Sequence, residues 1–176
     1  MKRTLLPVMT LAACLAAGSS GVRAFAGAPA PAVRIVDLKG LEAALAGYRG
    51  QAILLNFWAI WCEPCLAELP ELLQVGREFR GSNAVVLTVS YDLMIPEVTP
   101  SGVLEQMRAF LAQRKLDMPV FIYDAPDYDA INARFALPGP VPATIAIDRT
   151  GTIVARHAGK GGRGQFIELM KKALGG

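Results

Sequence analysis

Apolar and polar positions along this chain alternate between two patterns. Unbroken apolar runs of strand length occur at Gln51–Ala59 (QAILLNFWA) and Asn83–Ser90 (NAVVLTVS). Such runs belong to strands that are covered on both faces. Arg34–Asp37, Met118–Tyr123, Ala143–Ile147 and Thr152–His157 read as shorter strands, and Asp148-Arg149-Thr150-Gly151 turns the last two into a hairpin. Between these runs, apolar residues recur at helical spacing over Leu38–Tyr48, Cys62–Arg80 (with Pro70 inside), Val103–Lys115, Tyr128–Phe135 and Gln165–Leu174. Tyr91–Gly102, holding Pro96, Pro100 and Gly102, predicts a loop, and Leu137–Pro142 a proline-rich turn. Strands separated by helices pair in parallel, whereas the terminal hairpin makes the sheet mixed. The pattern therefore predicts an α/β fold with a central mixed sheet of four to five strands and helices on both faces. A length of 176 residues fits one such domain.

The first residues do not belong to that pattern. Lys2 and Arg3 precede an apolar stretch from Thr4 to Ala17, and Ala24-Phe25-Ala26 has the small-x-small form of a cleavage site. Residues 1–26 read as an export signal. Leu11-Ala12-Ala13-Cys14 also has the form of a lipobox, in which Cys14 carries a lipid and becomes the mature N-terminus. Both readings export the protein to the periplasm or the outer face of the cytoplasmic membrane. Membrane contact then goes through the leader or the lipid only, because no apolar run in the body of the chain reaches the roughly 18 residues of a span. Gly27–Ala32 (GAPAPA) is a tether, and residues 33–176 are the folded domain.

Removing the leader changes the charge. The whole chain has 18 basic and 15 acidic residues, a net +3. Lys2, Arg3 and Arg23 leave with the leader, so 15 basic residues then face 15 acidic ones. The mature domain is neutral, and no nucleic-acid partner follows from bulk charge. Of three cysteines, Cys62 and Cys65 remain.

These two lie in Trp61-Cys62-Glu63-Pro64-Cys65, where a buried strand gives way to a helix. A cysteine at a helix N-terminus faces unpaired backbone N–H groups and the positive end of the macrodipole, which stabilise a thiolate. A second cysteine three residues on lies one turn along the same helix, within reach for a disulfide. Pro64 suits a first turn, where a missing N–H does no harm. This makes Cys62 the exposed attacking thiol and Cys65 the buried resolving thiol. Zinc binding needs about four ligands and finds one histidine, His157, in the chain. An inert disulfide closing so small a loop constrains the unfolded chain little. Glu68 lies three residues past Cys65, on nearly the same helical face, where a carboxylate opposes thiolate formation and can exchange a proton. Glu63 places a second negative charge beside Cys62. His157 is read as a structural or surface residue and is assigned no chemistry.

Asn56-Phe57-Trp58-Ala59-Ile60-Trp61-Cys62-Glu63-Pro64-Cys65 resembles the active-site segment of thioredoxin-fold proteins, and more narrowly the exported TlpA/ResA-like thiol-disulfide oxidoreductases. Pro70 matches that family's helix-kinking proline, and Glu68 an acidic position near its active site. Val141-Pro142-Ala143-Thr144 resembles its cis-proline loop. The resemblance implies a thioredoxin-like fold and a cis Pro142 beside the cysteines. It also implies substrate contacts at Trp61, Val141 and Pro142, tuning by Glu63 and Pro64, and no cofactor beyond the Cys62–Cys65 disulfide. Thioredoxin has a buried aspartate where this chain has Asn56, which leaves Glu68 as the proton acceptor.

The activity so implied is reduction of disulfides in client proteins, of the cytochrome c or respiratory copper-site maturation type. The enzyme would be a monomer recharged by a CcdA- or DsbD-like membrane electron donor. Three alternatives stay open: a periplasmic disulfide oxidase, a peroxiredoxin-like peroxidase and a Sco-like copper chaperone. A peroxidase would need a threonine and an arginine near a single cysteine. A copper chaperone would want a wider cysteine spacing and a distant histidine.

Overall fold

The computed structural model describes residues 33–126, 128–137 and 139–176. The export signal over residues 1–26, the choice between cleavage at Ala26 and lipidation at Cys14, and the tether at 27–32 lie outside the described residues.

The chain order is β1 (Val33–Val36), α1 (Leu38–Ala46), β2 (Ala52–Trp58), α2 (Glu63–Glu78), β3 (Ala84–Ser90), α3 (Pro100–Arg114), β4 (Val120–Tyr123), α4 (Tyr128–Phe135), β5 (Ala143–Ile147), β6 (Ile153–Ala158) and α5 (Arg163–Leu174). One mixed sheet runs β1-β4-β3-β2-β5-β6. The first four strands of that order are parallel, β5 runs antiparallel to β2, and β6 runs antiparallel to β5. The sheet thus has six strands where four to five were expected. The difference lies at the edges, since four-residue β1 pairs along its whole length with β4. A short edge strand needs only one partner, and hydrophobic pattern does not say whether it finds one.

Strand β2 sits in the middle and is buried at every position. Its side chains alternate between two helical layers. Asn56 and Trp58 face the layer of α2, α3 and α5, since Asn56 bonds Glu68 and Trp58 packs on Phe110. Ile53 and Phe57 face α1 and α4, where they meet Leu45 and Phe135. The layers are tight. A Cβ on Gly76 of α2 would come within 2.8 Å of Val86 on β3, so α2 approaches the sheet closely there.

Helix α3 begins three residues before its expected start. Thr99 is its N-cap, accepting from the Gly102 N–H at 3.2 Å, and Pro100 follows in the first turn. Proline and glycine there open a helix rather than prolong a loop, because the first-turn N–H groups have no helical partner. The connection shrinks accordingly, and a short 3₁₀ turn at Asp92–Met94 takes up its start. Strands β2 and β3 end together, and the cysteine loop and the Asp92 turn leave from that edge. In open α/β sheets sites gather at such carboxyl ends.

Candidate active site

Cys62 and Cys65 form a disulfide, with sulfurs 2.02 Å and Cα atoms 5.2 Å apart. Cys62 is the N-cap of α2, and its sulfur accepts from the Cys65 N–H at 3.3 Å. In the reduced protein the same amide can donate to the Cys62 thiolate, favouring its formation. Cys65 is fully buried, whereas Cys62 keeps 6% of its surface. Cys62 is therefore less open than the expectation of an exposed thiol. Its sulfur turns back over the helix N-terminus onto Cys65, yet it is still the only one of the pair that solvent touches. Glu63 and Pro64 occupy the first turn of α2 and are exposed.

Below the pair, Glu68 is 1% exposed. Asn56 Nδ2 donates to its Oε1 at 2.7 Å, and the Gly161 N–H donates to its Oε2 at 2.7 Å. Burial pushes its carboxyl above the ordinary 4.5, opposed by the Gly161 and Asn56 donors and then by the charges of His157 and Lys160. Asn56 Nδ2 also donates to Thr144 Oγ1 at 2.9 Å. The register explains the row, because Asn56 lies opposite Thr144 and Thr144 opposite His157, all on one face of the sheet. Asn56 thus holds the acid in place. His157, read as structural from sequence, belongs to the same row.

The loop carrying Cys62 is fastened from the other side. Asp92, 4% exposed, accepts from the Ile60 N–H at 2.9 and 3.2 Å through its two oxygens. It also accepts from Ser90 Oγ at 2.5 Å. Burial raises this carboxyl too, against the lowering effect of Ser90 and the Ile60 amide. Sequence reasoning missed Asp92. A lone aspartate after a strand looks like any solvated loop residue, and no spacing marks it. Gly161 was missed as well, since its contribution is a backbone N–H.

The Val141–Pro142 peptide is cis. Pairing of Phe57 with Ala143 places Pro142 beside the end of β2, where the chain enters the cysteine loop. Pro142 is buried, Val141 is half-buried, and the Pro142 carbonyl accepts from the Gly159 N–H at 2.9 Å. Trp61, next to Cys62, is 48% exposed. Met94, Ile95 and Val98, on the connection that Asp92 anchors, are also large and exposed. A groove of about 450 Å³ between α2 and α3 is lined by Leu66, Leu69, Pro70, Phe110, Gln113, Arg114 and Leu116, without either cysteine or Glu68.

A disulfide at a helix N-terminus, a cis-proline at the neighbouring strand and a buried acid one turn along the helix together define a thioredoxin-fold thiol-disulfide oxidoreductase. The AhpC/TSA family model matches residues 26–156, and the chain belongs to that family, among its ResA/TlpA-like thioredoxin-fold members. It is 32% identical over 133 residues to the thioredoxin-like protein YneN of Bacillus subtilis, covering 76% of this chain and 71% of that protein. It is 32% identical over 127 residues to the thiol-disulfide oxidoreductase ResA of Geobacillus kaustophilus, covering 72% of this chain and 66% of that one. The crystal structure of the exposed lipoprotein thioredoxin Etrx1 of Streptococcus pneumoniae superposes with a TM-score of 0.60 at 26% identity, over 73% of this chain and 89% of that one.

Proposed function

We propose that this protein is an exported reductase of disulfides in client proteins, with Cys62 attacking and Cys65 resolving. The Cys62 thiolate attacks a client disulfide and joins one client sulfur, and the other client sulfur leaves as a thiolate. Cys65 then gives its proton to Glu68 and attacks the Cys62 sulfur. The Cys62–Cys65 disulfide forms and the second client sulfur leaves, so the client gains two electrons and the enzyme loses two. Trp61, Val141 and Pro142 are the client's docking contacts, the Val141 backbone pairing with an extended client segment as an added strand would.

The observation that carries the reductive direction is the burial of Glu68 one turn beyond Cys65. A carboxylate held there disfavours a neighbouring thiolate, so the dithiol form is less stabilised and the couple more reducing. Exposed Glu63 beside Cys62 adds to this against the pull of the helix N-terminus. A reductase in an oxidising compartment needs recharging, which a CcdA- or DsbD-like membrane donor supplies. Clients of the apocytochrome c or respiratory copper-site kind suit such a couple. Export is supported by the leader and by relatives such as the pneumococcal exposed lipoprotein. Among the described residues no helix is long and apolar enough to cross a membrane.

Equilibration against glutathione and dithiothreitol tests the direction. A potential near the about −270 mV of thioredoxin is expected, and one near the about −120 mV of a strong oxidant would make the protein an oxidase. A Cys65→Ser variant should trap the client as a mixed disulfide on Cys62. A Cys62→Ser variant with full reductase activity would overturn the assigned roles.

A further inference from the structure

Glu68 is 1% exposed, and one of its two carboxylate oxygens is held by a single peptide group. The Gly161 N–H donates to Glu68 Oε2 at 2.7 Å. The carbonyl of that same peptide belongs to Lys160, and it faces His157 Nε2 at 3.4 Å. In a trans peptide the C=O and N–H point in opposite directions, so one group spans the gap from ring to acid. An imidazolium has donors on both ring nitrogens, so a protonated His157 donates to the Lys160 carbonyl. Donation to a carbonyl polarises its amide and strengthens the bond that amide makes beyond it. His157 is half-buried on β6 directly opposite Thr144, in the row that runs through Asn56 to the acid.

We propose that His157 is a positioning residue for the dithiol chemistry, acting on Glu68 through the Lys160–Gly161 peptide and supplying a countercharge to the buried carboxylate. The other groups around Glu68 leave this role to it. Strands β2 and β5 present neutral Asn56 and Thr144. Lys160, on the corner between β6 and α5, is exposed, and its charge also lowers the Glu68 carboxyl. At the start of α5 the Arg163 guanidinium is engaged with Glu78, and the Arg163 backbone N–H donates to Glu71, one turn along from Glu68. Of His157 and Lys160, only the His157 ring faces the carbonyl of the peptide whose N–H donates to Glu68. A charged ring there lowers the Glu68 carboxyl and so keeps it available as a base for the Cys65 proton.

The inference deepens the proposed role of Glu68 as proton acceptor, and its first test needs no client. The Glu68 carboxyl carbon is followed by NMR in the oxidised protein from pH 4 to 9. Relative to wild type, His157→Gln is expected to move the Glu68 midpoint to higher pH. His157→Lys, with a charge that persists through the range, is expected to keep it at or below the wild-type position. The second test is the rate at which Cys65 displaces a preformed mixed disulfide of glutathione on Cys62. His157→Gln should slow it on the order of threefold at pH 5.5. It should have no further effect in a Glu68→Gln background. Superimposable carboxyl titrations of wild type and His157→Gln would overturn the inference, as would an equal rate loss in the Glu68→Gln background. If His157→Gln does not fold, His157→Lys decides, and a Glu68 midpoint displaced upward despite the retained cation would sink it. The carboxyl titration reads the coupling whichever way the dithiol runs, so its failure is separable from failure of the reductase reading.

Discussion

A glutamate with 1% of its surface exposed is held by one amide side chain and one backbone N–H, and the N–H comes from a residue 93 positions away. Gly161 can make that bond because it has no side chain. A Cβ there would lie 2.6 Å from the Phe166 ring, which is fully buried in α5 and cannot give way. Gly161→Ala must therefore move the corner between β6 and α5, and with it the donor to Glu68. The expected cost is about 1–3 kcal/mol from overpacking, read from urea unfolding. With its donor displaced, the Glu68 carboxyl should also titrate at higher pH than in the wild type, because a hydrogen bond to the charged form is lost while burial stays. From sequence, Glu68 was legible as a candidate through its spacing from Cys65. Gly161 and His157 were not, since neither their neighbours nor their spacing sets them apart.

The active-site loop is short and hangs between two elements. On one side α2 presents its N-terminus to Cys62. On the other, the start of the β3–α3 connection grips the Ile60 amide through Asp92 and the Trp58 carbonyl through the Tyr91 N–H, at 2.9 Å. Replacing Asp92 with Ala leaves the Ile60 N–H without its acceptor and frees the segment that carries Trp61. The expected loss is about 1–3 kcal/mol at neutral pH. Exchange of the Ile60 amide with deuterium should accelerate at least tenfold relative to core amides of β2, whereas an Asp92→Asn variant, which keeps an acceptor oxygen, should exchange more slowly than Asp92→Ala. The boundaries of these elements show where local pattern misleads. Pro100 and Gly102 read as breakers, and they open α3 because Thr99 caps it. The strands and helices themselves were legible, since β2 is apolar throughout and the helices keep one apolar face.

Two buried carboxylates at one end of the sheet shape how the whole protein responds to pH. Glu68 and Asp92 both ionise above their ordinary values of 4.5 and 3.8 because burial disfavours the charge. Just above those values the unfolded chain has released these protons and the folded protein still holds them. Folded protein then binds more protons, so their contribution to stability falls as pH rises through the window up to the raised values. Glu78 and Asp148 are shifted the other way, by hydrogen bonds from Arg163 and Thr150, and act at lower pH. Between pH 4.5 and 7 the urea midpoint of the wild type should therefore fall relative to that of a Glu68→Gln, Asp92→Asn double variant. A difference between the two that does not change with pH would show that burial does not control these acids. Much of this protein is written locally. Strand and helix positions, the cysteine pair at a helix start, the acid one turn on and the proline before β5 follow from periodicity and spacing, because each depends on neighbours within a few residues. The sixth strand of the sheet, the Asp92 clamp, and the row from Glu68 through Asn56 and Thr144 to His157 depend on strand order and register. Those are set when distant segments pack together, and no stretch of chain short enough to show a period contains them.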